Sequence, residues 1–231
     1  MKTRKLLPIF AAALLFLHIT GIIKSDRENT AAVFSYASSS KVLIIDAGHG
    51  GADGGAVAAD GTLESKINLL IASKMNNLAH LFGIKTVMTR EGDNLSYPES
   101  ANTIKQMKRW DQKRRLEIIN SISDGVLISI HQNKYPDSRP KGPQVLYGKL
   151  GVSEAFGDSC HKMLSKFLFP DNRRVASPAS EDIYLMRNAE CDSILVECGF
   201  LSNAEELSQL SNDFYQTKIA AIILASYMNF Y

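Results

Sequence analysis

VLIIDAGHGGADGGA, residues 42–56, joins an apolar run to a glycine-dense turn. Val42, Leu43, Ile44 and Ile45 end at Asp46, and a short apolar run bounded by glycine reads as a buried strand. The turn then lifts His49 clear of the backbone, just past the strand end where α/β folds keep their chemistry. A glycine loop with an incidental histidine is the bland alternative. Two phosphate-binding readings fail. A dinucleotide fingerprint would need a third glycine where Asp53 stands, and its carboxylate would repel a pyrophosphate. A P-loop would need Gly-Lys-Ser or Gly-Lys-Thr, which the chain lacks.

Outward from this stretch, strands and helices alternate. Ser65 is a candidate N-cap, and Ile67, Leu70, Ile71, Leu78 and Phe82 recur at helical spacing. They predict a helix over 66–81 with His80 on its solvated side. A strand over 84–89 follows, then a polar surface excursion over 91–108 and a helix over 110–121. Val126 to Ile130 repeats the first arrangement, an apolar strand ending at a histidine, His131. An edge strand is expected over 144–147 and a helix over 152–169, with His161 facing solvent. Strands are expected over 183–186 and 193–196, the second ending at Glu197. A helix over 214–230, apolar nearly all round, is expected to be buried. The class is α/β: one domain, a mostly parallel mixed sheet, helices on both faces.

The 231 residues, 45% of them hydrophobic, suffice for one well-packed domain. A net charge of +2 gives no electrostatic case for nucleic-acid binding. Three cysteines without a C-x-x-C pair argue against a disulfide framework or a cysteine zinc site. Cys160 and Cys198 read as packing residues. At the N-terminus, Lys2, Arg4 and Lys5 precede an apolar run over 6–23. That pattern leaves its start in the cytoplasm and the rest outside. No small-x-small cleavage site follows closely and no lipobox cysteine is present, so residues 1–23 read as an uncleaved membrane anchor, with a cleavable signal peptide and a secreted domain as the alternative. Residues 24–40, rich in serine and alanine, read as a tether, and the folded domain spans 41–231.

His49, His131 and Glu197 all fall just after expected strands, and Glu64 lies between the glycine loop and the first helix. In a parallel sheet such strand ends share one edge and their side chains can converge. Two imidazoles and a carboxylate suit zinc with one position open. Capping of strands and helices by the same residues is the plain alternative, and no local H-E-x-x-H spacing separates the two.

The ordered motifs decide further. Asp46-Ala47-Gly48-His49-Gly50-Gly51, Glu64 before a helix, Thr89-Arg90, Ser129-Ile130-His131-Gln132-Asn133 and Val196-Glu197-Cys198-Gly199-Phe200-Leu201-Ser202-Asn203 occur in that order. Together they resemble the zinc-dependent N-acetylmuramoyl-L-alanine amidases of the type 3 family over 41–231. Position by position, the resemblance implies that His49, Glu64 and His131 hold Zn2+ and that Glu197 is the catalytic carboxylate. Asn133 becomes a candidate substrate-binding residue, with a plain turn role as its alternative. One anchor, one catalytic domain and no wall-binding repeats are most similar to the CwlD-like spore-cortex amidases. That similarity implies peptidoglycan as substrate, formation of muramic δ-lactam, and an extracytoplasmic site such as the forespore intermembrane space. It also leaves room for an activating protein partner, with Glu64 on its glycine-flanked loop expected to be loosely held. Another zinc peptidase or deacetylase of the wall, or a silent wall-binding scaffold, are the competing readings. Arg90 and Arg115 stand near element ends, open to acidic peptide stems or to buried pairing.

Overall fold

Period-two alternation along three strands fixes which side chains share a surface. A computed structural model describes residues 41–231; the anchor and tether expected over 1–40 lie outside the described residues. The strands are β1 (Val42–Ala47), β2 (Thr86–Met88), β3 (Gly125–Asn133), β4 (Gln144–Tyr147), β5 (Ser177–Pro178) and β6 (Asp192–Phe200). They form one sheet in the order β2-β1-β3-β6-β4-β5. All pairings are parallel except that of β4 with β6. The mixed, mostly parallel α/β sheet is therefore as the sequence indicates. β4 lies inside the sheet, because the two-residue β5 covers its outer side.

The helices are α1 (Glu64–Leu81), α2 (Ile104–Asn120), α3 (Ser153–Leu168), α4 (Tyr184–Asn188), α5 (Ala204–Leu210) and α6 (Asp213–Phe230). Leu43, Ile45, Val126, Ile128, Ile194 and Val196 point to one sheet face and pack on α1, α3 and α6. Ile44, Leu127 and Leu195 point to the other and meet Ile119 of α2 and Leu185 and Met186 of α4. Buried on both faces, these strands read as continuous apolar runs rather than alternating ones. α6 is buried from Ile219 to Tyr227, as its all-round apolar sequence implies.

Several expected boundaries move, for local reasons. α2 starts at Ile104, inside the expected surface excursion, because Thr103 and Gln106 close a capping box. Residues 183–186 are not a strand: Tyr184–Asn188 is a short helix packed on the sheet. β6 runs past residue 196 to Phe200. α5, absent from the sequence reading, is capped by Asn203, which accepts from the backbone N–H groups of Glu205 and Glu206. Cys160 and Cys198 are buried packing residues. His161 does not face solvent: it is 4% exposed, and its Nε2 lies 2.6 Å from the Arg174 carbonyl. His80 is exposed and bonds Thr86, as expected of the polar side of α1. Among the described residues, no helix is long and apolar enough to cross a membrane.

Candidate active site

The sheet face that carries Ile44, Leu127 and Leu195 carries Asp46, Ser129, His131 and Glu197 at the next positions, one pleat on. These residues, with α2 and α4 above them, bound a cleft of about 260 Å³ at the C-terminal strand edge. His131 and Glu197 are direct neighbours in the register of β3 and β6. His49 enters from the glycine loop after β1, and Glu64 from the first turn of α1.

The backbone must do something unusual to aim His49. Its φ is 59°, the one positive φ outside glycine among the described residues. A left-handed L-residue costs about 1–2 kcal/mol and persists only when its surroundings hold it. The surroundings are three buried charges. Arg115 of α2 donates to the carbonyls of Ala47 and His49 and to the Asp46 carboxylate. Arg90, following β2, donates to the carbonyls of Ala47, Gly48 and Ser65, so it ties β1, the loop and α1 together. Asp46, fully buried, also accepts from Thr89 at 2.6 Å and Ser129 at 2.5 Å. Burial alone would raise the Asp46 pKa. The Arg115 cation and the two hydroxyls outweigh it and leave the carboxyl at about 2. Arg90 and Arg115 are thus both structural and buried. Gly48 passes so close to His131 that an added Cβ would sit 2.3 Å from the imidazole ring.

Glu64 lies between the two histidines. Its Oε2 is 3.4 Å from His49 Nε2, and its Oε1 is 3.0 Å from His131 Nδ1. Donor separations of roughly 3.3 Å are what tetrahedral bonds of about 2.0–2.1 Å to zinc require. One atom from each residue lies within 4.8 Å of the others. The donor set, two imidazoles and a carboxylate, and this spacing fit a zinc ion. Contrary to expectation, Glu64 is not loosely held. It is 3% exposed and accepts from the Ala56 and Gln132 backbone N–H groups and from Asn68 Nδ2. Burial would raise its pKa, but the His131 hydrogen bond and the facing imidazoles hold it at about 2. Asn68 in turn donates to the Gly48 carbonyl and accepts from Gln132 Nε2.

Glu197 has the opposite electrostatics. Its Oε2 is buried without a hydrogen-bond partner. Burial and the nearby Glu64 charge raise its pKa to about 7, against the pull of His131. A carboxyl whose pKa is raised toward neutrality is suited both to take and to give a proton. Asn133 is brought to the end of β3, where its carbonyl accepts from Leu201. It is not among the residues lining this cleft. The sequence reading did not single out Asp46, Asn68, Asp53 or Lys108 as site residues. Asp46 and Asp53 had a signal: they stand three residues before and four after His49, at the end of β1 and in the loop that follows. Asn68 had one as well, four residues after Glu64 on the same helix face, whereas Lys108 had none, because its partner Asp53 is remote in sequence.

Residues 43–227 match the family described as N-acetylmuramoyl-L-alanine amidase. The germination-specific N-acetylmuramoyl-L-alanine amidase of Bacillus subtilis is 32% identical over 199 residues, 86% of this chain and 83% of the relative. The CwlD amidase of Clostridioides difficile, solved in complex with the GerS lipoprotein, is 35% identical with a TM-score of 0.78. That alignment covers 82% of this chain and 97% of the other. The catalytic domain of CwlV, the amidase of Bacillus (Paenibacillus) polymyxa var. colistinus, is 26% identical with a TM-score of 0.67, covering 82% and 97%.

Proposed function

The chain belongs to the N-acetylmuramoyl-L-alanine amidase family, and on that premise we propose a zinc-dependent enzyme that strips peptide from muramic acid during spore-cortex maturation. Its activity is hydrolysis of the amide between muramic acid and L-alanine in peptidoglycan. The observation that carries the zinc reading is the convergence of His49, Glu64 and His131 beside Glu197. His49 offers Nε2, His131 offers Nδ1, and Glu64 offers a carboxylate held by backbone donors.

An amide is a weak electrophile with a poor leaving group. A zinc ion held by His49, Glu64 and His131 would supply Lewis acidity toward a water molecule and the scissile carbonyl. Glu197 does the proton work. Its carboxylate takes a proton from the attacking water and returns it to the nitrogen of L-alanine as the C–N bond breaks. The lactyl group of the sugar leaves as a carboxylate, and the stem leaves with a free amine. The desolvation that raises Glu197 to about 7 suits it to both halves of that transfer.

A role in germination is drawn from similarity to the germination-specific amidase, and the finer spore-cortex role with muramic δ-lactam formation rests on the motif resemblance to CwlD-like amidases. A protein partner is drawn from the CwlD complex with GerS. An extracytoplasmic location, with residues 1–23 as anchor, 24–40 as tether and 41–231 as catalytic domain, rests on the sequence pattern. Asn133 as a substrate contact rests on its place two residues after His131 in the sequence, since it does not line the cleft.

The test is digestion of a defined glycan–peptide fragment of peptidoglycan by the full-length chain, followed by mass spectrometry. Stems beginning at L-alanine should appear with zinc and vanish with a chelator. Glu197→Gln should bind zinc at full stoichiometry and lose about 10²–10⁴-fold in turnover. Stems cut elsewhere would favour a wall peptidase, and undiminished turnover by Glu197→Gln would move the proton transfer to another group.

A further inference from the structure

Imidazole presents only one nitrogen to a metal, and the hydrogen bond at the other decides which. For His49 that bond is built from the glycine loop itself. His49 Nδ1 lies 2.8 Å from Asp53 Oδ2. Asp53 returns beneath the ring because the loop closes on itself: Gly50 N–H donates to the Asp53 carbonyl at 2.8 Å and Asp53 N–H to the Gly50 carbonyl at 3.1 Å. The carboxylate is fixed through both oxygens. Oδ1 accepts from the Gly55 backbone N–H at 3.2 Å. Oδ2 also meets Lys108 Nζ at 2.9 Å, reaching over from α2.

We propose that Asp53 is a positioning residue that locks His49 in the Nδ1–H tautomer, with Nε2 turned toward Glu64 and His131, and that Lys108 holds Asp53 there. The proposal rests on the zinc-ligand assignment and adds the device that prepares one ligand. An exposed neutral imidazole has no such constraint at Nδ1. The Asp53 carboxylate accepts only, so it demands a proton on that nitrogen and leaves a lone pair on Nε2. Outer carboxylates of this kind typically contribute 10–100-fold to metal affinity. Lys108 makes the arrangement depend on α2: the same helix that clamps the loop backbone through Arg115 clamps its carboxylate through Lys108.

The test uses the full-length chain and two readouts other than turnover. Zinc affinity is measured by competition with a chromogenic chelator. The His49 tautomer is read in the metal-free protein at alkaline pH from long-range nitrogen–proton NMR correlations. The parent should show Nδ1–H. Asp53→Ala should lose that preference and bind zinc 10–100-fold more weakly. Asp53→Asn, which keeps an acceptor without the charge, should fall between. Lys108→Met should weaken zinc by a smaller factor. Affinity within twofold of the parent in Asp53→Ala, or an Nε2–H parent, overturns the proposal. Failure of the ligand assignment looks different: His49→Ala would then keep full zinc affinity.

Discussion

Replacing Arg115 by methionine removes the cation from the centre of the loop clamp while keeping the bulk of the side chain. Arg115 is 3% exposed and Asp46 is fully buried, so solvent cannot replace what is lost. Asp46 would keep only the hydroxyls of Thr89 and Ser129, and the carbonyls of Ala47 and His49 would each lose a donor. Breaking a buried pair from one side costs about 3–5 kcal/mol. For a domain of this size that is a fall of roughly 6–20 °C in melting temperature. The acid limb supplies a second, independent signature. Asp46 titrates at about 2 in the folded protein against an ordinary 3.8. A depressed folded-state pKa stabilises the protein above the unfolded value, by roughly 2 kcal/mol here, and that stabilisation is lost as pH falls from about 4 through about 2. Without Arg115, burial dominates and lifts the Asp46 pKa above its unfolded value, so this acid loss disappears and the variant instead gains stability as pH falls through the raised pKa. Urea melts of the parent, Arg115→Met, Asp46→Asn and the double variant at pH 7, 5 and 3 measure both effects. The double variant should be more stable than the sum of the single losses predicts, because neither charge is then stranded. Additivity within about 0.5 kcal/mol would refute the reasoning.

Gly48→Ala places a Cβ 2.3 Å from the His131 ring; we expect about 1–3 kcal/mol of strain and weaker zinc binding, checked by melting and chelator competition, and unchanged affinity would mean that the loop moves freely. Glu206, 5% exposed, accepts from the Gly142 and Phe200 backbone N–H groups at 2.8 Å each. Glu206→Ala should therefore cost about 1–3 kcal/mol in a urea melt, by freeing the loop after β3 and the end of β6, while leaving zinc stoichiometry intact.

The core strands were legible because both faces of a mostly parallel sheet are covered, which writes them as unbroken apolar runs: Leu43 to Ile45, Val126 to Ile128, Ile194 to Val196. Period-two alternation then carries Asp46, His131 and Glu197 to one face without further information. The short elements were not legible. The run Ile183-Tyr184-Leu185-Met186 reads equally as strand or helix by periodicity, and only packing on Leu127 and Leu195 selects the helix. The start of α2 was in the sequence, since Thr103 and Gln106 have capping-box spacing, but it lay inside a polar stretch that masked it. His161 could not be read correctly, because the carbonyl it meets belongs to Arg174 in a segment without regular periodicity. Glu64 was read from its glycine neighbours as loosely held, yet what secures it, Gln132 and Asn68, arrives from β3 and the next turn of α1.

The buried charges beneath the cleft explain why so polar a network sits in the middle of an apolar fold. An ion pair like Asp46–Arg115 is weak evidence for stability, since well-packed apolar residues would often serve as well. Apolar residues could not, however, hold the loop carbonyls. Arg115 and Arg90 together occupy the carbonyls of Ala47, Gly48 and His49, the segment that must bend into a left-handed turn to present an imidazole. The strain at His49 is met during folding, by donors already fixed in α2 and after β2. Zinc binding then need not order the loop, and the binding energy otherwise spent on ordering appears as affinity. On this account stability and metal affinity share one set of contacts. A substitution at Arg115 or Arg90 should therefore lower both together.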